Sequence, residues 1–136
     1  MSNTEIKSFY EKERKEKKVI LLGFDDEKIT KVVSKLLSPI ATIIEVDNFN
    51  VTLKYEEIVS YKKEKVDIVF CGVLMEGIDG FIVTKDIKQM NKKQRFCTFT
   101  KKGENDLYKT MFKNTNNIEL PINIEKFIEI CKEMDI

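Results

Sequence analysis

The sequence predicts an α/β fold: a doubly wound, five-stranded parallel sheet with helices on both faces and an N-terminal helical extension. Three observations predict it. Short continuous apolar runs, Val19-Ile20-Leu21-Leu22 and Ile68-Val69-Phe70-Cys71, read as strands covered on both faces. Segments with apolar residues at i, i+3, i+4 and i+7 alternate with those runs and read as amphipathic helices. The connections are short, so successive strands join through right-handed crossovers into one sheet. A strand order of 2-1-3-4-5 is one of the two common solutions for such a sheet.

The elements follow in order. Residues 19–22 form the first strand. Ile29, Val32, Val33, Leu36 and Leu37 make a helix stripe that stops at Ser38-Pro39. The second strand covers Ala41–Val46, and a helix from about Leu53 to Tyr61 follows with Ile58 and Val59 inward. Asp67–Cys71 is the third strand, and the helix after Gly80 turns Val83, Ile87 and Met90 inward. Arg95–Thr100 is the fourth strand, Glu104–Phe112 a helix, and Asn117–Leu120 the fifth strand. The last helix carries Ile124, Phe127, Ile128, Cys131 and Met134 on one face.

Residues 1–17 stand apart from the domain expected over 18–136. Glu11/Lys15 and Glu13/Lys17 are i,i+4 pairs of favourable polarity, which predicts a charged helix. Ile6, Phe9 and Tyr10 give it a short apolar face. Two readings stay open, a solvated extension and a docked helix.

Composition narrows the function classes. A chain of 136 residues is one domain's worth. With 24 Lys+Arg against 23 Asp+Glu, the whole chain carries no electrostatic footprint for nucleic acid. No apolar run reaches the roughly 18 residues of a membrane span, so no membrane partner is expected. The three cysteines Cys71, Cys97 and Cys131 lie in apolar segments, as expected of buried free thiols in a reducing, cytoplasmic setting. Histidine is absent, which excludes a Ser-His-Asp triad and His-ligated zinc. No Gly-rich phosphate loop follows the first strand, so no nucleotide cofactor is expected.

The segment Asp67–Phe81, DIVFCGVLMEGIDGF, carries the most information. A buried strand breaks at Gly72, and a loop brings Gly77, Asp79 and Gly80 into a helix. Together with Leu120-Pro121 after the fifth strand, it resembles a bacterial response-regulator receiver domain, the CheY-like, flavodoxin-like fold. The resemblance runs over about residues 18–134 in element order and length.

The family's chemistry is implied by that resemblance. A receiver keeps an acidic pair after strand one for Mg²⁺, a phosphoaccepting Asp after strand three, Thr or Ser after strand four, and Lys before a cis Pro after strand five. Phosphoryl transfer needs such groups because the metal and cation neutralise the phosphoryl oxygens. Here Gly72 stands at the phosphoacceptor position and Leu120 at that of the lysine. Pro121 is kept, Thr100 stands at the switch hydroxyl, and Asn117 replaces the aromatic reporter. Phe24 and Asp25 fall opposite the acidic pair, with Asp26 beside them. The plainer role of Asp25 or Asp26 is to cap the following helix, and that of Asp79 to make the turn before Gly80.

The resemblance therefore implies a non-enzymatic pseudo-receiver without cofactor or bound metal, acting in signalling through an unidentified protein partner. A homodimer is compatible with this. Its expected surface is the helix over Glu104–Phe112 with the fifth strand, anchored by Tyr108 and Phe112 and joined by Asn117, Phe9 and Tyr10. Leu107 and Met111 satisfy the core face of that helix, leaving Tyr108 and Phe112 beside them at i,i+4; all four packing on the sheet is the competing reading. One alternative is a metal- or phosphate-responsive receiver with a rearranged acidic site at Asp25, Asp26 or Asp79. Another is a small ligand binder or enzyme on a flavodoxin-like sheet.

Overall fold

The structure is a computed structural model that describes residues 2–47, 50–73, 80–101 and 115–136. Its elements are α1 (Asn3–Glu11), β1 (Val19–Phe24), α2 (Glu27–Leu37), β2 (Thr42–Asp47), α3 (Val51–Glu56), β3 (Ile68–Gly72), α4 (Gly80–Met90), β4 (Arg95–Lys101), β5 (Asn116–Leu120) and α5 (Ile124–Glu133). The helix expected over Glu104–Phe112, with Tyr108 and Phe112, and the turn residue Asp79 lie outside the described residues.

The strands pair in parallel in the order β2-β1-β3-β4-β5. The three central strands explain the unbroken apolar runs, since both of their faces are covered. Every residue of β3 is buried, as are all but Val19 in β1. The edge strands β2 and β5 are only partly buried.

Alternation along the strands divides the core into two layers. On one face Ile20, Leu22, Phe70 and Phe99 meet Val33 and Leu37 of α2 and Phe127 and Ile128 of α5. On the other, Leu21, Val69 and Phe96 meet Val51 and Tyr55 of α3 and Val83 and Ile87 of α4. Cys71, Cys97 and Cys131 are buried free thiols. Burial pushes the pKa of Cys71 and Cys131 up to about 12, so neither is a nucleophile at neutral pH.

Several expectations need correction. Val32, Met90 and Ile124, read as inward, are 46%, 38% and 41% exposed. A helix buries only one stripe, and each of these lies beside it rather than within it. The third helix starts at Val51 and ends in a π-helical turn, Glu57–Tyr61. There Lys62 N–H reaches back to Glu57 O at 2.9 Å, and the chain leaves through Lys63 in the left-handed region.

The N-terminal helix is shorter than its charge pattern predicts. It stops at Glu11, so the pairs Glu11/Lys15 and Glu13/Lys17 do not lie along one helix. Arg14 supplies the reason. Its guanidinium donates to Phe9 O and Lys12 O, each at 2.9 Å, capping carbonyls that a longer helix would have used. The same guanidinium lies 4.9 Å from the centre of the Phe9 ring, within cation–π range.

This helix is docked. Phe9 is 5% exposed and belongs to the core layer of α2 and α5. Tyr10 Oη donates to Leu36 O at 2.8 Å. Phe9, expected as a partner anchor, is thus buried within the chain, while Tyr10 is half-buried.

Candidate functional site

In an open α/β sheet the reactive groups gather beyond the carboxyl ends of the strands. Here those ends bring Phe24, Gly72, Thr100 and Leu120 to one side of the molecule.

β1 runs one residue beyond its glycine, so Phe24 closes the strand and is 5% exposed. Its ring meets Phe99 edge-on at 4.8 Å, and Phe99 meets Phe70 at 5.8 Å. An aromatic stack therefore fills the layer beneath the strand ends, where edge-to-face pairs are favoured. Asp26 is engaged by the helix that follows it. Its carboxylate accepts Lys28 N–H at 2.8 Å as the N-cap of α2, satisfying one of the helix's orphan donors. Asp25 is exposed and lines a polar depression of about 480 Å³ with Glu27, Glu45 and Asp47. Among the described residues no cluster of three or more His, Cys, Asp or Glu side chains is placed to hold a metal ion.

β3 ends at Gly72, which pairs with Phe99, and Val73 N–H donates to Phe99 O at 3.0 Å. Helix α4 starts directly against this strand end. Gly80 N–H donates to Val73 O at 2.9 Å, and a Cβ on Gly80 would lie 1.8 Å from Gly72 O. Only glycine permits that approach. Gly80, read from the sequence as loop punctuation, is thus a packing residue.

β4 and β5 hold the polar part of the site. Thr98 and Thr100 are fully buried on the face opposite Cys97 and Phe99. Asn117 Nδ2 donates to Thr100 Oγ1 at 3.1 Å, and Thr98 Oγ1 stands 3.4 Å from Asn117 Oδ1. Asn117, expected at the interaction surface, is half-buried and bonded to Thr100. This amide and hydroxyl pair because a buried polar group must find a partner.

Leu120 registers beside Lys101 and packs on the core layer of α2 and α5. The Leu120–Pro121 bond is cis, as the resemblance implies. The sequence reading missed Phe99 and Lys101. The alternation in Arg95–Lys101, RFCTFTK, could have separated Cys97 and Phe99 from Thr98 and Thr100.

No protein-family model and no curated protein matches the sequence. Solved structures do match. A chain of the CheX–CheY–BeF3–Mg complex from Borrelia burgdorferi is similar with a TM-score of 0.72 at 18% identity, covering 88% of this chain and 90% of that one. The signal receiver domain of an HD domain-containing protein from Pseudomonas fluorescens Pf-5 gives 0.70 at 16%, covering 88% and 94%. A receiver domain protein from Clostridium thermocellum gives 0.71 at 16%, covering 86% and 93%. The chain has the fold of response-regulator receiver, CheY-like domains. At such identities the likeness concerns the fold, and function rests on the site.

Proposed function

We propose that this chain is a phosphorylation-independent receiver, a pseudo-receiver that works in cytoplasmic signal transduction by binding a protein partner. One observation carries the proposal: β3 ends in Gly72, where a receiver presents the aspartate that accepts the phosphoryl group. A glycine has no side-chain oxygen with which to form an acyl phosphate. Leu120, at the position of the phosphate-binding lysine, supports the same reading because an alkyl chain cannot neutralise phosphoryl oxygens. Phe24, which the resemblance sets opposite one of the family's metal-directed carboxylates and which packs edge-on against Phe99, offers no oxygen to a metal and supports the same reading. Asp26 is occupied as a helix cap, which weakens the alternative of a rearranged acidic site.

Acetyl phosphate followed by intact-mass measurement tests this. The expected result is no phosphoryl adduct, with or without Mg²⁺. An adduct mapped to Asp25, Asp26 or Asp79 would overturn the proposal and favour the rearranged site. Gly72→Asp combined with Leu120→Lys should recover at most weak reactivity, because Phe24 still offers no oxygen to a metal.

A further inference from the structure

We infer that the outer face of α3 and α4 is a homodimer interface, closed by a second copy of this chain about a twofold axis parallel to the two helices. Such a dimer neither requires nor excludes the partner binding proposed above. Among the described residues six large apolar side chains are exposed, and four of them belong to α3, the turn that ends it, and α4. These are Leu53 at 64%, Tyr61 at 75%, Ile82 at 52% and Met90 at 38%. The core does not use them, because Val51, Tyr55, Ile58, Val83 and Ile87 already fill the layer beneath. Leu53 lies two residues from both Val51 and Tyr55 and so points away from the sheet. Tyr61, three residues after buried Ile58, would share its side of an α-helix; the wider π-helical turn re-aims it outward. Apolar side chains gathered on one face in this way mark an interaction surface.

The two helices stand level with each other. Val51 fills the space that a side chain on Gly23 would take, and Gly80 rests on Gly72. Gly23 pairs with Cys71, the neighbour of Gly72, so both helices begin at nearly the same height on adjacent strands. Leu53 and Ile82 are each the third residue of their helix. From there the same offsets carry matched pairs: Glu56 with Lys85 three residues on, and Tyr61 with Met90 eight residues on. Two apolar rungs thus enclose a rung of opposite charges.

That matching selects a second copy as the occupant. A twofold axis along the helices lays α3 of each copy on α4 of the other, as an isologous interface requires. Leu53 of one copy then meets Ile82 of the other, and Glu56 meets Lys85. Among the described residues neither Glu56 nor Lys85 forms an ion pair within the chain. Glu57 falls opposite Asp86 in this register, but Lys54 at 3.1 Å and Lys62 at 3.4 Å already neutralise it. An axis across the helices would instead bring the acids of α3 together and the lysines of α4 together, which costs affinity. Two short helices per copy make a small interface, so the dimer is weak and concentration-dependent.

The test uses the full chain in sedimentation velocity from micromolar to millimolar concentration, with methyl NMR on the same samples. Dimer should form as concentration rises, and the methyl signals of Leu53 and Ile82 should shift with it. Leu53→Lys and Ile82→Glu, both at exposed positions, should each weaken the dimer by about tenfold or more with circular dichroism unchanged. Mixing the two variants should restore dimerisation, because one contact regains Leu53 with Ile82 and the other becomes an ion pair. A parent chain that stays monomeric, shifts confined to another face, or no recovery on mixing would overturn the inference. Dimerisation untouched by either variant would place the contact elsewhere and overturn it as well. None of these outcomes touches the acetyl phosphate result, so failure here is distinguishable from failure of the pseudo-receiver proposal.

Discussion

At the amino end of the sheet, Val19 N–H donates to Asp67 Oδ2 at 2.7 Å while Asp67 N–H donates to Val19 O at 2.8 Å. Gln94 Nε2 reaches Asp67 O and Arg95 O, its Oε1 accepts from Tyr55 Oη at 2.7 Å, and Arg95 donates to Met134 O. The carboxyl end is built differently. There Phe24, Phe99 and Phe70 stack, and Leu120, beside Lys101, packs against the same core layer. In α/β folds the carboxyl end is where polar groups converge on a ligand. In this chain a side-chain network also sits at the opposite end, where it ties strands and helices together. Among the described residues, the difference teaches that polar side chains at the amino end tie strands to helices, while at the carboxyl end packed rings stand beside the Thr100–Asn117 pair.

Measurements of stability can break that contrast. The largest effect should come from Phe99→Ala. The ring is 2% exposed and touches two other rings, and losing a buried Phe costs about 3–5 kcal/mol. Chemical denaturation would read this as a lowered midpoint. A loss below about 1 kcal/mol would mean that packing does not hold the carboxyl end.

Asp67→Ala comes next. It leaves the partly buried Val19 N–H without its acceptor, and losing such a bond to a charged group costs about 1–2 kcal/mol. The same denaturation experiment should also show earlier amide exchange at Val19. If Asp67→Ala cost more than Phe99→Ala, the ranking of the two ends would be reversed.

Asp26→Ala should be the smallest change. Removing an N-cap carboxylate costs about 1 kcal/mol, with the loss confined to α2. Adding Mg²⁺ should stabilise the variant and the parent chain equally. A Mg²⁺-dependent stabilisation that disappears in Asp26→Ala would show that this carboxylate serves a metal, sharpening the case for a rearranged acidic site.

Much of the fold was legible because its signals are local. The runs Val19–Leu22 and Ile68–Cys71 are apolar at consecutive positions, and only strands buried on both faces need that pattern. The stripe on α2 was legible for the same reason, since helical period is set by backbone geometry. The failures came from the edges of such stripes. Val32 and Ile124 are apolar and in period, yet both are exposed, because whether a flanking position meets the core depends on what packs across from it. The acidic residues after β1 were equally ambiguous. A carboxylate at a helix start satisfies both a cap and a metal site, and only the Lys28 N–H contact assigns Asp26 to the cap.

By itself the sequence determined the α/β class, the alternation of strands and helices, and the identity of the residues at the strand ends: Gly72, Thr100 and Leu120. These depend on residue type and spacing, which the chain carries directly. Tertiary structure alone decided the rest. It docked α1 by burying Phe9 and capping with Arg14, joined Asn117 to Thr100, and seated Gly80 on Gly72. It also closed Leu120 and α2 into one groove. Each of these joins residues distant in sequence or set by the path of the backbone, and such contacts are fixed by packing between elements rather than by the pattern within any one of them.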